Sequence, residues 1–200
     1  MNWLTFIKEI FEALSFPTTA FFAYKGVVVW REQLRGKDKY NISKSLLKSV
    51  YRIKETIKYL RSPMFTSGEI NVAMKKHFPE VKIDPFDKTE EDQKKIDSAV
   101  FRERWLMIKD VYAEYELAKY EAIVHWGTNM EVILSEFEKT LNSLKIRTNM
   151  YPSLQPGLDK SREKFEEYIF GYSPDGKDEF QDKFLSCISK IENILLPEIK

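Results

Sequence analysis

Thiol chemistry is almost missing from this sequence, because Cys187 is the one cysteine in 200 residues. That excludes an intramolecular disulfide and any site built from several thiolates. Cys187 stands beside an apolar stripe and reads as a small buried hydrophobe. Histidine is nearly as scarce, with only His77 and His125, so general bases and imidazole ligands are in short supply. Seven glycines and eight prolines are too few for a β-sandwich, which needs turn residues roughly every 8–12 positions. The chain also lacks a glycine-rich phosphate loop, a Gly-x-Ser-x-Gly elbow and a His-Glu-x-x-His pair. These absences predict a non-enzymatic protein with no catalytic or metal residues, no cofactor and no small-molecule substrate. No secretory signal is read at the N-terminus, since Lys8, Glu9 and Glu12 interrupt any apolar run there.

What the chain does have is apolar residues at 43% and charged residues at 32%, a mixture suited to long solvated helices around one core. Ile42, Leu46, Val50, Ile53, Ile57 and Leu60 recur at steps of three and four, which places them on one helical face. A second stripe reads Phe101, Trp105, Ile108, Tyr112, Tyr115 and later Trp126, Met130, Ile133, Phe137, Leu141, Leu144, with Gly127 in its middle as a kink or a break. Phe180, Phe184, Ile188, Ile191 and Leu195 form a third. Thr89 followed by Glu90, Glu91 and Asp92 is a strong helix start. The prediction is all-α: an antiparallel bundle of long helices over 17–61, 89–146 and 178–196, with short accessory helices at 2–14, 69–77 and 158–170. Residues 1–36 form an apolar N-terminal region and 37–200 the bundle body.

Net charge is +1, but its distribution is lopsided: residues 1–62 carry 12 Lys/Arg against 5 Asp/Glu. Residues 31–61 alone hold ten basic side chains and three acids. That segment is the solvated face of a bundle helix or a surface for anionic lipid headgroups, worth roughly 1 kcal/mol per basic residue. Nucleic acid is disfavoured, because the aromatic residues are not interleaved as stacking platforms. Just upstream, residues 13–30 contain a single charge, Lys25. Eighteen residues sit at the threshold for a bilayer span, which takes about 20. The segment is read as a span, an interfacial anchor or a helix buried in a soluble fold. Phe16, Phe21, Phe22, Tyr24 and Trp30, with Arg31, Arg35, Lys37 and Lys39 directly after them, are the expected contacts with a membrane or a partner.

Three polar residues need an explanation of their own. Glu121 and His125 are four apart on one helix face, a pair that reads as a structural hydrogen bond and only remotely as a metal or acid–base site. Arg104 falls near an apolar face, where it needs a carboxylate such as Glu121, Glu114 or Glu55, or a route to solvent. His77, next to Lys75 and Lys76, reads as solvated.

The run Trp30-Arg31-Glu32-Gln33-Leu34-Arg35-Gly36-Lys37, with Tyr40, the stretch 51–63 and the stretch 120–127 ending in Trp126-Gly127, resembles a group of uncharacterised bacterial helical proteins. In that group a hydrophobic N-terminal helix leads into a cytoplasmic helical body. The resemblance implies an anchored bundle and brings no activity or catalytic residue with it. Two functions are expected from different classes. One is a membrane-associated protein that presents a cytoplasmic bundle to a protein partner across an anionic membrane surface. The other is a cytoplasmic subunit or adaptor whose aromatic N-terminus packs on a partner or on a second copy of the chain.

Overall fold

The computed structural model describes residues 3–81, 88–154, 160–173 and 175–199, with the side chains of residues 4–17 and 20 outside the description. Among the described residues there are six α-helices and no strand: α1 (Trp3–Leu60), α2 (Ser67–His77), α3 (Glu90–Trp126), α4 (Thr128–Met150), α5 (Lys160–Phe170) and α6 (Glu179–Leu195). The chain divides into two compact units, Met1–Asn41 and Ile42–Lys200, and α1 contributes to both.

The second unit is an all-α bundle of the C-terminal part of α1 with α3, α4 and α6. Four cross-helix pairings fix its layout. On α1 and α3, Arg52 meets Glu114 and Leu60 meets Arg104. On α3 and α4, Trp105 meets Thr148 and Lys119 meets Glu138. Glu136 and Thr140 of α4 meet Lys190 and Cys187 of α6, and Glu192 of α6 returns to Tyr51 of α1. In the first three pairings the numbers rise along one helix and fall along the other, so α1, α3, α4 and α6 run antiparallel in succession, and the Tyr51–Glu192 contact closes the ring. The core is the apolar face of each helix. Leu46, Val50, Ile53 and Leu60 of α1, Met130, Phe137 and Leu144 of α4, and Phe180, Ile191 and Leu195 of α6 are all fully buried. Phe137, Phe184 and Phe180 stack in series at 5.3–5.4 Å between centroids. At about 1.5–3 kcal/mol for each fully buried large apolar side chain, these faces set the topology.

Local signals place the helix ends. Thr89 and Asp92 form a reciprocal cap at the start of α3, each accepting from the other's backbone N–H at 3.1 Å. Thr66 caps α2 by accepting from Glu69 N–H. The long helix expected over 89–146 is two helices. Gly127 adopts φ 67°, ψ −154°, a region open almost only to glycine, and α4 returns against α3 after that single residue. The separate helix expected over 2–14 is instead the start of α1, which passes through Pro17 without a break. A proline forfeits one ladder hydrogen bond, and helix-forming residues on both sides outweigh that loss.

Three arginines tie the connections to the bundle. Arg104, 1% exposed, donates to both carboxylate oxygens of Glu69 at 2.6 and 3.0 Å and to the carbonyls of Leu60, Ser62 and Met64. It thereby closes the C-terminal end of α1. Arg61 does the same for the end of α5. It donates to the carbonyls of Tyr168 and Ile169 and to both oxygens of Asp178 at 2.8 Å, while Asp178 itself caps α6 through Gln181 N–H. Arg162 donates to the Leu154 carbonyl, Tyr151 Oη and Glu166.

Candidate functional site

In the unit Met1–Asn41 the helix carries exposed apolar side chains at the described positions. Among the described side chains from residue 18 to 38, Val28 is half-buried and all others are exposed. Phe22 is 68%, Tyr24 70% and Trp30 59% exposed. Burial in its own core, one of the three readings of residues 13–30, is therefore not what the described side chains from 18 to 30 show; those of 13–17 and 20 lie outside the described residues.

The reason lies in the stripe that makes α1 a bundle helix. Followed backwards from Ile42 at the same three- and four-residue steps, it meets Lys39, Arg35 and Arg31. An apolar ridge becomes a cationic one, and the face that packs a core ends at Ile42. Arg31, Arg35 and Lys37 are exposed and Lys39 is half-buried, so the four expected cations form a basic band along a little over two turns. Upstream of that band the apolar character extends around the whole helix. At about 100° per residue, Phe21, Phe22, Tyr24, Val27, Val29 and Trp30 leave no angular gap wider than about 80°, and all six are exposed. A helix apolar on every side belongs inside an apolar surround and not against a single flat partner. Phe21 and Phe22 pack edge to face at 5.9 Å, and the Lys25 ammonium lies 5.2 Å over the Phe21 ring, which shields the one charge in the segment. Among the described residues, no helix is long and apolar enough to cross a membrane. Of the expected contacts, the side chain of Phe16 lies outside the described residues.

The polar candidates are placed differently from their expectation. Glu121 and His125 are both exposed, with no hydrogen bond between them, and His125 instead leans on Trp126 at 5.8 Å. No group of three or more metal-ligating side chains occurs among the described residues. His77 is not solvated: its ring is nearly buried and meets Glu103 at 2.5 Å, with Lys76 on the same carboxylate. Burial would lift the Glu103 carboxyl, but those two donors hold it below the usual range. Arg104 found its carboxylate in Glu69, not in Glu121, Glu114 or Glu55, and has no route to solvent. Burial works against the Glu69 charge as well, and the Arg104 hydrogen bonds and charge outweigh it, so this carboxyl also sits low. Sequence reasoning missed Arg61 and Arg162 because both lie on charged surfaces by pattern; only the fold brings loop carbonyls to them. Cys187 is buried as expected, and burial pushes its thiol up.

No family model matches the chain, and neither does any curated protein or solved structure.

Proposed function

We propose that this is a non-enzymatic, membrane-associated protein in which residues 13–30 of α1 embed in one leaflet of an anionic membrane and the bundle Ile42–Lys200 is offered to a protein partner. The observation that carries this reading is the exposed, all-round apolar surface of α1 at residues 21–30, followed directly by Arg31, Arg35, Lys37 and Lys39. Lipid covers every side of a helix at once, and headgroups supply the anions the band needs. Residues 13–30 are about 27 Å long at 1.5 Å per residue, against a hydrocarbon core of about 30 Å. Since no helix among the described residues is long and apolar enough to cross, on this reading the segment is seated in the membrane without traversing it. That same fact favours a second reading, in which the arms of several copies wrap one another's apolar surfaces in a soluble homo-oligomer.

Vesicle flotation separates the two. The full chain is mixed with phosphatidylcholine vesicles or with vesicles one-quarter phosphatidylglycerol. Membrane seating predicts flotation on both, at least tenfold stronger on the anionic set and reduced to the neutral level by 0.5 M salt. Recovery of the protein at the bottom of the gradient with both vesicle types, as a uniform oligomer by light scattering, overturns the membrane reading in favour of the second.

A further inference from the structure

Cations with no acidic partner among the described residues are spread over the bundle, Lys48, Lys54, Lys58, Lys75, Lys139 and Lys164 among them, but one group of three is gathered around a cleft. Arg52, Lys76, Lys94, Lys95, Lys119, Lys183 and Lys190 each meet a carboxylate. Arg102, Lys109 and Lys145 have no acidic partner among the described residues, and all three border the same cleft between α3 and α4. The cleft has a volume of about 870 Å³, inside the range of about 300–1,000 Å³ typical of small-ligand sites. One turn of a partner's helix takes roughly 400 Å³, so this space is short for a docked helix and ample for a small organic molecule.

Its walls are chemically two-sided. Phe101, Trp105 and Tyr112 give an aromatic lining. Trp105 is held in place by its indole N–H, which donates to Thr148 Oγ1 at 2.8 Å, and the Lys145 ammonium lies 6.0 Å over its ring. Thr148 in turn is fully buried and bonded to the carbonyls of Leu144 and Lys145, so this wall is preorganised. Burial first, and then Glu138 and Glu116, push the Tyr112 phenol up to about 12. Glu116 is the one acid lining the cleft, about two turns along α3 beyond Lys109 and farther still from Arg102. The balance along the rim is three cations against one anion.

We infer that the cleft between α3 and α4 binds an amphipathic organic anion, its flat or acyl body on Trp105 and Tyr112 and its carboxylate or sulfonate held by Arg102, Lys109 and Lys145. The site is independent of the α1 arm, and its failure leaves the membrane reading untouched.

The test titrates the full-length protein with anilinonaphthalene sulfonate, followed by fluorescence, with dodecanoate as competitor. Two variants separate the cleft from the exposed arm. One carries Lys109→Glu and Lys145→Glu, both surface positions, with folding checked by circular dichroism. The other carries Phe21→Ser, Phe22→Ser and Trp30→Ser. The inference expects one saturable site, displaced by dodecanoate, that survives in the arm variant and weakens at least tenfold in the charge-reversed cleft variant. It is overturned by binding that disappears with the arm substitutions or is indifferent to the two lysines. It is equally overturned if an acidic helical peptide binds the cleft while neither organic anion does.

Discussion

Replacing Arg104 by methionine tests how the α1–α2 connection is held. Methionine fills most of the arginine's volume, so little of the effect comes from a cavity. What is lost is five hydrogen bonds, to Glu69 and to the carbonyls of Leu60, Ser62 and Met64. The flanking rings of Tyr59 and Phe65, 5.0 and 4.7 Å from the guanidinium, also lose their cation. Glu69, whose side chain is 11% exposed, is left charged with only the Tyr59 hydroxyl and Thr66 as neighbours. Removing one member of a buried pair costs about 3–5 kcal/mol, a large part of the roughly 5–15 kcal/mol that stabilises a domain. In urea, with a slope of about 2 kcal/mol/M, the midpoint falls by about 1.5–2.5 M. Adding Glu69→Gln to the variant removes the stranded charge and recovers part of the loss, while the orphaned carbonyls keep the double variant below wild type. The pair also carries a pH signature. Because the folded-state Glu69 carboxyl is held low, its contribution is fully present above the ordinary glutamate range and is lost as pH falls through the folded value. The gap between wild type and Arg104→Met therefore narrows in acid. Circular-dichroism melts in urea from pH 7 down to pH 3 measure it. A loss below about 1 kcal/mol at pH 7, or a gap unchanged at pH 3, refutes the reasoning.

Other outcomes follow from single positions. Gly127→Ala meets no atom within 4 Å, so its cost is backbone strain alone, about 1–3 kcal/mol by urea unfolding; no change in midpoint contradicts the glycine-only turn. Gly171→Ala costs more than Gly127→Ala in the same assay. Its φ is +76° and its new Cβ falls 2.5 Å from Asp178 Oδ2, inside the Arg61 clamp. A smaller loss than at Gly127 counts against that clamp. Asp97 is buried, which lifts its carboxyl against the pull of Gln93 and Arg162; a raised folded value means stability is lost as pH climbs from the ordinary aspartate range through it. Asp97→Asn removes that slope and is as stable as wild type or better at pH 7, and a penalty above about 1 kcal/mol there contradicts it. Cys187 reacts with a disulfide reagent only as fast as the bundle opens, so stoichiometric labelling within seconds in native buffer contradicts its burial.

How much of this was legible in advance varies by element. The stripe from Ile42 to Leu60 and the Thr89 cap are local patterns, and both appear where the spacing put them. The all-α bundle was readable for the same reason. At Gly127 the spacing leaves both a kink and a break open, because Trp126, Met130 and Ile133 continue the periodicity across it: both flanking helices bury a stripe in one core, and only a backbone angle divides them. Arg104 stood out as a charge on an apolar face, yet its partner Glu69 is 35 positions upstream on another helix, beyond the reach of any spacing rule. His77 looked solvated beside two lysines because Glu103, which meets both His77 and Lys76, arrives from α3. The exposed aromatic residues of α1 and the cations after them were visible as composition. That the cationic ridge is the core stripe continued became clear only when the stripe's inner end was known.

The closed ring of helices also sets an order of assembly. α3 and α4 meet across one residue, whereas Tyr51 and Glu192 join partners 141 positions apart. Chain-closure entropy rises with separation and slow-forming distant pairs limit the rate, so the hairpin forms early and the seam between the first and last helices zips last. Until α6 docks, the ridge from Ile42 to Leu60 lacks the partner that Glu192 brings to Tyr51. A protease or a chaperone that samples the nascent protein finds its opening at that seam.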